Sequence, residues 1–157
     1  MSVTVRPLTE GDFNAALALY NTFGGAPPPL QGAEAKRQFR RVLAHPGTLI
    51  FGAEVEGQIC AMATLHILPN MTVAGRPYAL IENVVTLKQF ERRGLARAVM
   101  EQAINHAWAQ EAYKIMLLTG HTANAKGFYE KLGFSGDDKH AMTLRKVPPR
   151  QPASRPD

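Results

Sequence analysis

The sequence predicts an α/β domain: a mixed, mostly antiparallel central sheet with one parallel strand–helix–strand unit and helices on both faces. Three stretches carry that expectation. Residues 76–86 read as a strand, on the β-branched, apolar run from Tyr78 to Thr86. After a short basic turn, Ala96, Val99, Met100, Ala103, Ile104 and Ala107 recur at i, i+3, i+4, i+7, i+8 and i+11. They make one apolar stripe, with Arg97, Glu101 and Asn105 opposite. Residues 114–119 then form an apolar run without alternation, as in a strand buried on both faces. A strand, a long helix and a second strand in succession give a parallel pair with a right-handed crossover. The hairpins before it are antiparallel.

The remaining elements follow in chain order. Residues 3–8 read as a first strand. Asp12 is placed to cap a helix that carries Phe13, Ala16, Leu17 and Tyr20 on one face. Gly24, Gly25 and the three prolines 27–29 must break it, because proline lacks the N–H that a helix needs. A second amphipathic helix spans residues 33–44, with Ala35, Phe39, Val42 and Leu43 apolar, and ends at His45-Pro46-Gly47. Residues 48–55 and 58–68 are strand-like and joined at Glu56-Gly57, a hairpin signal. Residues 69–75 form the next turn. Beyond the long helix, Ala125, Phe128, Tyr129 and Leu132 share one face of a short helix that Gly133 ends in a left-handed conformation. Phe134 and residues 140–146 are expected to supply closing strands. One domain over residues 1–147 results, followed by a polar, proline-containing tail, 148–157, expected to be disordered.

Composition narrows the function classes. With 157 residues the chain is large enough for a two-layer core, and 45% apolar with 20% charged residues is ordinary for a soluble globular domain. The single cysteine, Cys60, excludes an internal disulfide and offers no metal-ligand spacing; it lies in an apolar run and reads as a packed thiol. No metal is expected. No stretch approaches the roughly 20 apolar residues of a membrane span, and the N-terminus lacks a signal-peptide pattern. A cytoplasmic protein without membrane contact is the expectation. The net charge of +5 is uneven: Lys88, Arg92, Arg93 and Arg97 crowd one turn, opposed there by Glu91. That concentration suits a local anionic ligand better than nucleic acid, which needs basic groups spread over a face with stacking aromatics.

The basic turn has the chemistry of an anion cradle. The first N–H groups of a helix lack intrahelical partners, and the helix dipole adds partial positive charge there. Gly94 and Ala96 are small enough for a phosphate to approach the backbone around Leu95, and Arg92, Arg93 and Arg97 add full charges. An ordinary basic strand-to-helix turn has the same composition.

Two motifs narrow the choice. Gly94-Leu95-Ala96, preceded by Glu91-Arg92-Arg93, resembles the acetyl-CoA signature of the GNAT (GCN5-related) N-acetyltransferases, Gln/Arg-x-x-Gly-x-Gly/Ala. The first signature position departs, with Glu91 in place of Gln or Arg. Phe128-Tyr129-Glu130-Lys131-Leu132-Gly133-Phe134 resembles the second signature of that family, a helix containing Tyr and ending in Gly-Phe. The resemblance covers nearly the whole domain and implies the GNAT acyl-CoA N-acyltransferase fold with acetyl-CoA as cosubstrate. It implies two parallel strands that splay apart, with pantetheine pairing to backbone at Val84, Val85 and Thr86. It also implies that Tyr129 donates the proton to the departing thiolate, and that Thr122 or Asn124 touches the cofactor.

Acyl transfer from a thioester to an amine needs a neutral nucleophile, and an aliphatic ammonium has a pKa of about 10. Glu82, mid-strand where a carboxylate is costly unless paired or functional, is the candidate base, and many GNAT members place an acid there. A carboxylate that only binds substrate is the alternative. A regular strand would turn Asn83 to the other face; a bulge would change which residue reaches the cleft. Among the histidines, His121 is the one nearest a strand end. The reading is an N-acetyltransferase acting in a ternary complex on a small-molecule or protein amine. Its rivals are a CoA-binding module without catalysis and a nucleic-acid-binding protein. No pattern encodes assembly; a homodimer stands only as the commonest homo-oligomer.

Overall fold

A computed structural model describes residues 2–24, 27–121 and 125–148. The elements are β1 (Val3–Pro7), α1 (Phe13–Asn21), α2 (Gly32–Ala44), β2 (Thr48–Val55), β3 (Gln58–Leu68), β4 (Tyr78–Thr86), α3 (Leu95–Ala109), β5 (Ile115–Met116) and α4 (Lys126–Glu130). Single 3-10 turns occupy Glu10–Asp12, Val73–Gly75 and Lys88–Phe90. The strands lie in the order β1-β2-β3-β4-β5. The first four are antiparallel and β5 runs parallel to β4, giving the expected mixed sheet.

Strand alternation sends the two sets of apolar side chains to two helical layers. Phe51, Leu65 and Ile81 pack on the α3 face with Leu95, Val99, Met100 and Ala103. Ile50, Ile59 and Met62 face the other way, against Ala16 and Leu19 of α1 and Phe39 of α2. Each large side chain buried in this way contributes about 1.5–3 kcal/mol, so both faces need their helices.

Local chemistry explains the joints. Glu56 and Gly57 both have positive φ, 50° and 81°, as a two-residue hairpin loop requires, and Val55 pairs with Gln58 across it. Gly47 is needed for a different reason: a Cβ there would run into the Ile67 carbonyl oxygen. Asp12 precedes α1 as expected, but its carboxylate does not cap that helix. It accepts the Thr9 N–H at 2.8 Å and a forked pair of bonds from Arg6, both 2.9 Å. Arg6 also donates to Glu54 at 2.9 Å, tying β1, β2 and the start of α1 together.

Two expectations are corrected. The run 114–119 gives only the short β5, and Met116 and Leu118 are 38% and 56% exposed, not buried on both faces. Neither Phe134 nor residues 140–146 form strands, and Met142 and Leu144 are exposed. Among the described residues β5 pairs with β4 alone, over two residue pairs, and is the edge strand of the sheet. The tail beyond residue 148 lies outside the described residues. Among those described, no helix is long and apolar enough to cross a membrane.

Candidate active site

The site begins with an interruption in β4. Register runs Ala61↔Thr86 and Met62↔Val85, then resumes at Thr64↔Glu82, so two residues of β4, Asn83 and Val84, stand opposite Ala63 alone. Asn83 takes φ 54°, the left-handed conformation of a bulge. The bulge reverses the alternation: Val84 packs toward α3, Val85 toward α1 and α2. Asn83, which a regular strand would turn away, lines a cavity with Thr64 and His66 of β3.

A second interruption lies on the other edge of β4. The parallel ladder consists of Ala79↔Ile115 and Leu80↔Met116 and then stops. From Glu82 onward β4 has no strand partner on that side among the described residues, so its edge along Val84 to Thr86 is open. Tyr129 of α4 packs with Val84, Leu117 and Phe128 against the α3-side core. Its ring meets Phe128 and Phe134 edge-on, with centroids 5.1 Å and 6.2 Å away. Gly133, at φ 95°, ends α4 in the expected left-handed turn, and the Phe134 N–H bonds the Tyr129 carbonyl at 3.1 Å.

Glu82 stands between these two spaces. Its charge is felt at both Tyr129 and His66, and no salt bridge engages it among the described residues. Burial first, and then the Glu82 charge, push the Tyr129 hydroxyl above its usual range, so it stays protonated at neutral pH. Burial, with His45 nearby, pushes His66 down against the opposing pull of Glu82. The Thr48 hydroxyl bridges His66 Nδ1 at 2.8 Å and His45 Nδ1 at 2.9 Å. His66 is therefore neutral and held in one orientation above its ordinary pKa of 6.5.

The basic turn lies beyond the end of β4. Gly94 is the residue before α3, at φ 80° and ψ 2°, with no side-chain cap. The first helical bond runs from the Ala98 N–H to the Gly94 carbonyl, so the N–H groups of Leu95, Ala96 and Arg97 have no intrahelical acceptor. Among the described residues, apart from its two chain neighbours, nothing lies within 4 Å of where a Cβ on Gly94 would sit. Arg92, at φ 59°, adds a second left-handed residue to a turn of anion-binding geometry. Arg93 stacks over Phe90 at 5.2 Å, and Arg97 pairs with Glu101 at 2.7 Å. Glu91 is exposed, as are Arg92 and Arg93. The Leu95 side chain is in the core, so only its backbone is available to a ligand.

The structure thus brings together Glu82, Tyr129, the open edge at Val84 to Thr86 and the turn at Arg92 to Arg97. Thr122 and Asn124 lie outside the described residues. His121 is exposed and does not line the cavity. Cys60 is the expected core thiol, fully buried and donating to the Gln58 carbonyl at 3.2 Å. Burial pushes its pKa up, which leaves it unreactive. Sequence reasoning missed Tyr20, Thr64 and His66 as site residues, and made the place of Asn83 depend on whether β4 is bulged. Thr64 and His66 at i, i+2 on one strand were a signal, but only the β3–β4 register puts them beside Glu82.

A family model described as the acetyltransferase (GNAT) family matches residues 13–134. Among solved structures, an acetyltransferase assignment from Agrobacterium tumefaciens str. C58 is 42% identical with a TM-score of 0.85, covering 91% of this chain and 99% of that one. An acetyltransferase from Trypanosoma brucei is 29% identical with a TM-score of 0.74, covering 92% and 98%. The structure of AAC(6')-Iy in complex with the bisubstrate analog CoA-S-monomethyl-acetylneamine shares the fold at 15% identity, with a TM-score of 0.77 and coverage of 94% and 99%. No curated protein matches.

Proposed function

The chain belongs to the GNAT family of acetyltransferases, and on that premise we propose that it moves an acetyl group from acetyl-CoA to a primary amine by direct transfer while both are bound. The observation that supports this most is a coincidence of place: the β4–β5 ladder stops beside the Asn83 bulge, and β4 then leads straight into the uncapped start of α3. A long anionic carrier fits such a path. The diphosphate would rest on the N–H groups of Leu95, Ala96 and Arg97, with space above Gly94 and with Arg92, Arg93 and Arg97 adding charge. Pantetheine amides would pair with Val84, Val85 and Thr86, and Thr122 or Asn124 would contact the carrier from the loop before α4.

Acetyl-CoA supplies an acyl group already activated as its thioester. Glu82 takes the proton from the incoming ammonium, directly or through one water, so that the amine attacks in neutral form. Attack on the thioester carbonyl forms the C–N bond. As the C–S bond breaks, Tyr129, held protonated, gives its hydroxyl proton to the departing sulfur, and the second amine proton, released as the amide forms, restores that hydroxyl directly or through water. The test is CoA release from acetyl-CoA over an amine library, with Glu82→Gln in parallel. The variant should bind acetyl-CoA normally and lose about 10²–10⁴-fold in kcat. Bound acetyl-CoA with no amine-dependent release from any acceptor would leave only a CoA-binding module.

A further inference from the structure

We propose that the acceptor is a primary amine borne on a neutral, ring-sized apolar body, and that the Thr64 hydroxyl accepts a hydrogen bond from that amine. The inference rests on the acetyltransferase reading and deepens it at the same site. Its basis is the cavity of about 280 Å³ between α1, α2 and the β3–β4 pair.

The cavity walls decide what the body of the acceptor can be. Phe13 and Phe39, with ring centroids 5.7 Å apart, face it together with Leu17, Leu30 and Val42. Among the described residues none of the side chains that line it is charged; the polar ones are Tyr20, Gln38, Thr64, His66 and Asn83. A polyamine would leave further ammonium groups without a carboxylate, and a phosphorylated sugar would bring an anion without a cation. Either charge would be desolvated with nothing to compensate it. At the small end of ligand cavities, this one suits a single ring or branched aliphatic group.

The orphaned hydroxyl decides where the amine goes. Thr64 is 2% exposed, and its Oγ1 is the single buried side-chain oxygen or nitrogen without a hydrogen-bond partner among the described residues. The Tyr20 hydroxyl lies near enough for Thr64 to act on its titration, yet the Thr64 Oγ1 has no partner at hydrogen-bond geometry among the described residues. Buried polar atoms are rarely left unpaired, so an unpaired one on a cavity wall marks a place for a ligand donor. Thr64 is also the register partner of Glu82 across the β3–β4 ladder. An N–H that satisfies Thr64 therefore sits beside the proposed base, with the apolar body extending between α1 and α2.

The experiment measures acetyl-CoA binding by thermal shift, then steady-state CoA release with 2-phenylethylamine, spermidine and glucosamine 6-phosphate. The kcat/KM for 2-phenylethylamine should exceed both others by roughly tenfold or more, since each polar amine buries an unmatched charge. Thr64→Val, nearly isosteric, should raise the amine KM about tenfold, one hydrogen bond's worth, without lowering the melting temperature or acetyl-CoA affinity. Preference for spermidine or glucosamine 6-phosphate, no turnover of 2-phenylethylamine, or an unchanged KM in Thr64→Val would each overturn the proposal. Bound acetyl-CoA with turnover of charged amines alone removes this inference and keeps the transferase. Failure to bind acetyl-CoA removes both.

Discussion

Replacing Gly94 by alanine separates backbone strain from ligand binding. Gly94 holds φ 80°, where an L-residue pays about 1–2 kcal/mol. Beyond its two chain neighbours, no atom of the described residues lies within 4 Å of the added methyl, so no clash adds to that cost. For a domain of this size the loss corresponds to a fall of about 2–8 °C in melting temperature. The methyl would enter the space where the diphosphate is proposed to approach the N–H groups of Leu95, Ala96 and Arg97. Losing one charge-assisted hydrogen bond of about 1.5–3 kcal/mol weakens acetyl-CoA roughly 10- to 100-fold. Gly57 supplies the control. It has φ 81° and equally open surroundings, but in the β2–β3 hairpin. Differential scanning calorimetry and acetyl-CoA titration calorimetry on Gly94→Ala and Gly57→Ala should therefore show similar destabilisation and different affinity. Equal losses of stability with wild-type acetyl-CoA affinity in both variants would refute the cradle.

Two further outcomes follow from the same geometry. Tyr129→Phe should lower kcat only about tenfold, because a thiol of pKa near 8.5 leaves without much help; an unchanged kcat would remove its proton-donor role. Asp12 is held at about 2, below its ordinary 3.8, chiefly by its hydrogen bonds from Arg6. Its folded-state pKa is depressed, so its stabilisation is complete above the unfolded value and disappears as pH falls from 3.8 toward 2. Asp12→Asn should cost on the order of 1 kcal/mol at neutral pH. In melting curves from pH 6 to pH 2, the gap between variant and wild type should close at the acid end.

Where the chemistry was local, the residues announced it. The α3 stripe was readable because an amphipathic helix repeats its apolar residues at 3.6, and Val99, Met100, Ala103 and Ala107 are indeed fully buried. Glu56-Gly57 and Gly133 were readable because few residue types tolerate positive φ. Glu82 stood out as a carboxylate within an apolar strand. Tyr129 was found through its place in a family motif, since as a member of an apolar stripe it looks like any core aromatic. The closing strand at 140–146 was misjudged for a related reason: alternation in Met142 and Leu144 states a preference, and a strand forms only where a neighbour offers its backbone.

The amino-acid order was enough to dictate the helices, the hairpin and the cationic turn, since each depends on contacts between residues a few positions apart, and the strand–helix–strand order implied the parallel crossover through its fixed handedness. The bulge at Asn83, the early end of the β4–β5 ladder and the union of Thr64 and His66 with side chains of α1 and α2 depended on how distant segments pair. Register across a ladder is set by the sum of packing on both faces, and no short stretch of sequence contains that sum.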